Sequence, residues 1–346
     1  MIKPESYSEE HIRKLQEDSK RDPVLLERTI YAFGLLEALA RVDLPFIFKG
    51  GTCLMLLMNH PKRLSTDIDI IVEPETDLDL YLQKAAGIFP FEEIEEQKRV
   101  GRNNIVKRHF KFTYNSPVNK KPFYILLDVL FENNHYARIV DKQIRNDLLI
   151  HEPDYYSVKV PSVACVLADK LTAFAPHTTG IPLNKGKDME VIKQFYDVCS
   201  LIDVLSDFDE IMPTYEQIAK TEIGYRGISA DAKDCLKDTY NTAFCLATRG
   251  KVMPEEYPLL VKGVRNLRGH IYSERFTPEI AAFEAVKVMY FALCLLVGER
   301  FEAVDDAGIY LDAKISSGEL KPLKSLRKLN PKAYAYAIKI DRLIEK

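Results

Sequence analysis

The chain has 346 residues, 47% of them hydrophobic and 29% charged, with a net charge of -3. These are the proportions of a soluble globular protein with a sizeable core, and at ~150 residues per domain the length allows about two domains. So small a net charge says nothing of partners, and any nucleic-acid surface would have to be a local basic patch.

The six cysteines, Cys53, Cys165, Cys199, Cys235, Cys245 and Cys294, form no CxxC pair and sit mostly among Leu, Ala and Val. Reduced, buried thiols in a cytoplasmic protein are expected. The seven histidines are scattered without metal-ligand spacing, which argues against zinc. The opening "MIKPESYSEEHIRK" lacks an apolar h-region and is not expected to be a signal peptide.

In chain order, "DPVLLERTIYAFGLLEALARV" has helical periodicity behind an Asp-Pro start. "LPFIFKG" is a short β run, "GTCLMLLMNH" a buried helix and "DIDIIVE" a strand of period two. "TDLDLYLQKAAGIF" is expected as a helix capped by its Thr. From residue 92 to 160 the pattern is β, with "IVKRHFKFTY" and "FYILLDVLF" flanking a turn, "NSPVNKKP", and then "YYSVKVPS". Beyond Pro161 everything reads helical, starting with "PSVACVLADKLTAFA" and "DMEVIKQFYDVCSLIDVL". Further helices are expected near 214–219, 231–247, 257–267 and 278–298, followed by a helical tail. The longest apolar stretch, "VKVMYFALCLLVG", is too short to cross a membrane and reads as buried, so no membrane partner is expected. The fold class is therefore α+β: a mixed-sheet domain over residues 1–160 and a helical domain over 161–346. There is no internal repeat.

The chemistry gathers between Lys49 and Pro74. On a strand, Asp67 and Asp69 project from one face, and two like charges so close repel unless a cation lies between them. Mg²⁺, or Mn²⁺, takes such carboxylates and fills its shell with water and phosphates. Gly50 and Gly51 let backbone N–H groups approach a phosphate at a helix start. Thr52 can cap that helix or bond a phosphate oxygen. Ser65 lies two residues before Asp67, and Arg63 offers a forked phosphate donor. Asp128 puts a charge into the apolar run "YILLDVLF", which is costly unless it is paired or functional. Three such carboxylates can hold two metal ions that activate a hydroxyl and stabilise leaving pyrophosphate. Each feature alone has an ordinary explanation: a turn, a solvated strand edge, a helix cap. Gly-Gly-Thr, a helix, then Ser-x-Asp-x-Asp and a later acidic residue is far more specific as a set.

That set resembles the DNA polymerase β-type nucleotidyltransferase superfamily. Within it, "FKGGTCLML…RLSTDIDIIV" is similar to the AbiEii/AbiGii toxin family, which includes the MenT toxins and carries K-G-G-T-x-L followed by R-x-S-x-D-x-D. The matching residues are Lys49, Gly50, Gly51, Thr52, Leu54, Arg63, Ser65, Asp67 and Asp69. The family also has a helical lysine in its second half and a K-D-x-Y-D-L segment. "LADKLTAFA" offers Lys170, and "KQFYDVCSL" offers Lys193, Tyr196 and Asp197, with Gln194 and Val198 departing from the pattern. Asp188 in "KGKD" competes with Asp197 for the second acidic role, and Asp197 is favoured. The resemblance covers roughly residues 30–205.

The resemblance implies a Mg²⁺-dependent nucleotidyltransferase, a toxin of a type IV toxin–antitoxin or abortive-infection system. It would move a nucleoside monophosphate from an NTP to an RNA such as tRNA, or to a protein hydroxyl, with Ser65 itself a conceivable acceptor. Asp67 and Asp69 would bind metal, and Asp128 would complete the metal site or take the acceptor's proton. Lys49, Gly50, Gly51, Thr52, Arg63 and Ser65 would hold the nucleotide. Lys170 would contact the triphosphate, Asp197 would position Lys170 or the acceptor, and the helical domain would complete the active site. An antitoxin would be encoded separately. The rivals are a nucleotidyltransferase acting on a small molecule such as an antibiotic, and a non-catalytic NTP-binding module. "GIPLNKGKD" is no P-loop: its spacing is wrong and it lacks the Ser/Thr that holds Mg²⁺. The basic stretches 98–112 and 262–276 could meet an RNA backbone, with Tyr272 and Phe276 available to stack on bases, although solvated faces and core aromatics explain them equally well.

Overall fold

The structure is a computed structural model, and it describes residues 1–58, 60–97, 106–272 and 274–345. The chain forms two compact units, Met1–Ser162 with Gly269–Glu274, and Val163–Arg268 with Arg275–Lys346. The architecture is α+β.

The first unit opens with α1 (Glu9–Ser19), whose Ser8 side chain accepts from the His11 N–H. Next comes α2 (Pro23–Arg41), where Pro fits the first turn and the Asp22 carboxylate accepts from the Val24 and Leu25 N–H groups. Then follow β1 (Ile47–Lys49), α3 (Gly50–Leu57), β2 (Ile68–Val72) and α4 (Leu78–Ala86). The strands β3 (Glu93–Glu96), β4 (Lys107–Ser116), β5 (Lys121–Phe131), β6 (Ile139–Gln143) and β7 (Ser157–Pro161) complete it. The sheet runs β3-β4-β5-β2-β1-β7-β6. It is mixed: β2 pairs parallel with β5 and β1 with β7, while the other pairs are antiparallel.

Period-two alternation decides which face of the sheet is core. Phe110, Phe112 and Tyr114 of β4 and Ile125, Leu127 and Val129 of β5 are buried against α2 residues such as Ile30 and Phe33. Glu27 of α2 is buried too. Its carboxylate accepts from the Tyr114 hydroxyl at 2.9 Å, the Ser116 hydroxyl at 2.9 Å and the Val118 N–H at 3.0 Å. Tyr31, one turn further along α2, stacks on Tyr114 with centroids 3.8 Å apart. One helix carboxylate thus fastens the β4–β5 hairpin over the core.

Two local expectations shift. The cap of α4 is Asp77, without a side-chain cap bond, because the Thr76 N–H closes a turn onto the Glu73 carbonyl instead. The strand β3 reads "EIEE", with too little apolar alternation to announce itself, and it forms by main-chain pairing to β4.

The second unit contains α5 (Val163–Ala173), α6 (Asp188–Val204), α7 (Ile211–Arg226), α8 (Ala232–Ala247) and α9 (Tyr257–Leu267). The helices α10 (Pro278–Val297), α11 (Leu326–Leu329) and α12 (Pro331–Ile344) follow. The apolar stretch near residue 290 lies in α10, whose span matches the helix expected at 278–298. At 20 residues, α10 is long and apolar enough to cross a membrane, yet 67% of its most apolar window is buried inside the protein. All six cysteines are free and buried, as expected.

Within this unit His177 is gripped from both sides, by Asp238 on Nδ1 at 2.6 Å and by Glu256 on Nε2 at 2.7 Å. The hydrogen bond to Asp238 leads the effects that raise its pKa to about 9, against the opposing pull of burial.

Both polar clusters make measurable contributions to stability. Glu27→Ala strands three donors in the core, and at about 1–3 kcal/mol for each unsatisfied group the first unit should lose on the order of 3 kcal/mol or more. Urea unfolding of the variant tests this. The His177 pKa is higher folded than unfolded, so the stabilisation is complete below about 6.5 and lost as pH rises through about 9. The melting temperature should fall across that window, and His177→Gln should flatten the decline.

Candidate active site

Both glycines of the Gly50-Gly51 turn are closely covered by side chains. Gly50 has φ +81°, and a Cβ there would collide with the Asp69 carboxylate. A Cβ on Gly51 would come within 2.6 Å of Ser65 Oγ and 2.9 Å of Arg63 Nη2. The turn therefore brings Gly50, Gly51, Arg63, Ser65 and Asp69 together. Arg63 is buried. Its segment is held by the late return of the chain: the Leu64 N–H donates to the His270 carbonyl at 2.8 Å, and the Tyr272 N–H to the Lys62 carbonyl at 2.9 Å.

Thr52 is fully buried, and its hydroxyl donates to the Asp67 main-chain carbonyl at 2.7 Å. That bond fixes the residue just before β2 against the start of α3. The hydroxyl's proton is thus committed to the backbone. Asp67 itself is half exposed. Its Oδ1 lies 3.3 Å from the Thr66 hydroxyl and 3.5 Å from Arg28 Nη2.

Strand register supplies the rest. Lys49 of β1 is level with Asp69 of β2, Asp69 with Asp128 of β5, and Asp128 with His109 of β4. Four charged or ionisable residues thus stand in one row across four adjacent strands. In β4 and β5 the row lies on the face opposite the buried Phe110, Phe112, Leu127 and Val129. His109 Nδ1 donates to Asp128 Oδ1 at 2.6 Å. A cavity of about 140 Å³ opens at the row, lined by Lys49, Asp69, Lys107, His109 and Asp128. A larger cavity of about 600 Å³ lies toward the other end of β1, beside Asp43, Glu73, Asp141 and Lys159, and none of the expected site residues line it. Register concentrates the carboxylates at the small cavity, beside the glycine turn.

The donor set suits a hard cation in part. Asp69 and Asp128 are two carboxylates on neighbouring strands facing one cavity, and Mg²⁺ takes one or two carboxylates and completes its shell with water and phosphate. Among the described residues no three His, Cys, Asp or Glu side chains are close enough to enclose a metal. That agrees with Asp67 being directed to Arg28 and Thr66, and with Asp128 bonding His109.

The second unit holds the other expected residues. Lys170 of α5 is buried, with Nζ 3.1 Å from Asp197 Oδ2 and 2.9 Å from Gln194 Oε1, both on α6. Residues 194 and 197 are three apart and share a helix face. Gln194, where the sequence departs from the K-D-x-Y-D-L pattern, is thus a second ligand of the same ammonium. Asp188, the competitor, instead pairs with Lys262 of α9 at 2.8 Å. Phe276 is core, packed edge-on to Tyr196. Of the basic stretch 98–112, residues 98–105 lie outside the described residues.

Sequence reading missed His109, Lys107 and Arg28. A signal for His109 existed: counting back equally along both arms of the hairpin from its closing pair, Ser116 and Lys121, reaches His109 and Asp128.

No curated protein matches the chain. Among solved structures, a candidate nucleotidyltransferase from H. pylori is 14% identical with a TM-score of 0.48, covering 80% of this chain and 99% of its own. JHP933 from Helicobacter pylori is 13% identical with a TM-score of 0.45, covering 79% and 93%. An antigenic nucleotidyltransferase-like protein from Paracoccidioides brasiliensis is 15% identical with a TM-score of 0.37, covering 56% and 87%. The family model for the nucleotidyl transferase AbiEii toxin of type IV toxin–antitoxin systems matches residues 34–264, a span that contains Lys49, the glycine turn, the three aspartates, Lys170 and Asp197. The chain belongs to the AbiEii nucleotidyltransferase toxin family.

Proposed function

We propose that this toxin transfers a nucleoside monophosphate from an NTP to a hydroxyl of an RNA such as tRNA, in the cytoplasm and with Mg²⁺. The observation that carries the reading is the level row of Asp69 and Asp128 beside a glycine turn on which Asp69, Ser65 and Arg63 pack closely. Mg²⁺, when bound, would offset the carboxylate charges and polarise the triphosphate. The main-chain N–H groups at Gly50, Gly51 and Thr52, with Arg63 and Ser65, would hold the β- and γ-phosphates. Lys49, level with Asp69, adds positive charge at the same place.

The acceptor oxygen attacks the α-phosphorus, the bond to the bridging α–β oxygen breaks, and pyrophosphate leaves. The acceptor's proton passes to Asp128, the carboxylate farther from the glycine turn. Asp67 joins Asp69 in the metal role. Its present partner opposes this weakly, since a half-exposed pair such as Arg28–Asp67, 3.5 Å apart, contributes roughly 0–1 kcal/mol. In the second unit, Lys170 is proposed as the triphosphate-binding ammonium, with Asp197 and Gln194 fixing its direction. An antitoxin encoded separately would restrain the enzyme.

The test is to incubate the protein with each labelled NTP, Mg²⁺ and total tRNA. Label should appear on RNA, and Asp69→Ala or Asp128→Asn should cut it by at least about a thousandfold. Label on protein or on a small molecule would move the acceptor assignment, and no label with any NTP would sink the enzyme reading. Gly51→Ala provides a finer check. Its Cβ pushes Ser65 and Arg63 aside, and a displacement of that size should lower kcat/KM on the order of 10²-fold.

A further inference from the structure

We infer that His109 is a positioning residue for the transfer, acting through Asp128; the inference rests on the functional reading above. His109 Nδ1 and Asp128 Oδ1 are 2.6 Å apart, on directly paired residues of β4 and β5. An ionised carboxylate has no proton to give, so Nδ1–H is the donor. That bond occupies one oxygen of Asp128 and fixes the plane of the carboxylate. The other oxygen remains for the cavity, which both residues line.

The ordinary explanation is that His109 satisfies an awkward buried charge. Exposure argues against it: the Asp128 side chain is 37% exposed and the His109 side chain only 15%. Water reaches the carboxylate unaided, and the more buried partner is the imidazole. A histidine placed under a reactive carboxylate constrains its geometry more than it relieves a charge. The row supports this further. Asp69 is level with Asp128 on the next strand, and the two carboxylates repel. A fixed N–H on the far side of Asp128 keeps the group from rotating away from Asp69. Its free oxygen then stays where the acceptor's proton is delivered as the α-phosphorus–oxygen bond forms and the bond to pyrophosphate breaks.

Removing a partner that orients an active carboxylate lowers activity by about 10–100-fold. His109→Ala should therefore lower kcat by that factor while KM for the NTP stays within about twofold. His109→Asn can place an amide N–H near the position of Nδ1 and should recover most of the loss; His109→Phe should not. In an Asp128→Asn background, His109→Ala should reduce the residual rate no further. Melting temperatures of all variants separate these effects from unfolding. A His109→Ala enzyme with wild-type kcat, or one as impaired as its Asn counterpart at unchanged stability, overturns the inference and leaves the functional reading intact. A wild type that transfers no nucleotide overturns the functional reading, and the inference with it.

Discussion

Asp69 and Asp128 face one another on hydrogen-bonded parallel strands, and much of the first unit answers that placement. Neighbouring strands lie about 4.8 Å apart, and unit charges at such spacing repel by a few kcal/mol at the effective dielectric of a partly exposed site. A sequence selected for stability alone would place an apolar residue at one of the two positions. The adjoining levels do so, pairing Ile68 with Leu127 and Ile70 with Val129. The groups on either side of the carboxylates are basic: Lys49 on β1 and His109 on β4. A lysine and an imidazole N–H donor thus flank the pair, and the cavity opens beside it.

Backbone precision at this row comes from the core beneath it. Glu27 holds the β4–β5 hairpin through three hydrogen bonds, and the hairpin fixes the register that brings His109 beside Asp128. A slip of one residue would send both side chains to the buried face. Thr52 plays a similar part for Asp67, tying its carbonyl to the first turn of α3. The apolar helix between the glycine turn and β2 is ordinary core by composition. Its consequence is geometric, since it fixes where the turn ends and the carboxylate strand begins.

Much of this was legible in the sequence because it depends on local pattern. The Asp-Pro start of α2, the buried α3, the period-two strands β4 and β5 and the Gly-Gly-Thr to Asp-x-Asp interval are all short-range features. The glycines at 50 and 51 could be read as a phosphate turn. That Asp69, Ser65 and Arg63 rest on them is a tertiary fact. Thr52 shows the limit of a motif: the residue is where the family pattern puts it, yet its hydroxyl serves the backbone. Strand β3 lies in the stretch read as β but was not delimited, because its four residues, three of them glutamate, carry no apolar alternation. His109 needed the hairpin register, which no single strand contains.

The segment carrying Arg63 and Ser65 depends on residues that the sequence places two hundred positions away. Leu64 and Tyr272 donate main-chain hydrogen bonds to His270 and Lys62, and Arg21 adds its guanidinium to the Tyr272 carbonyl at 3.3 Å. Without that brace, the 61–66 segment would be a loop closed only by α3 and β2. Buried Arg63 would then have to be held by its neighbours alone, and a guanidinium is costly to bury without fixed acceptors. The main-chain bonds of His270 and Tyr272 are therefore part of how the segment carrying Arg63 and Ser65 is held.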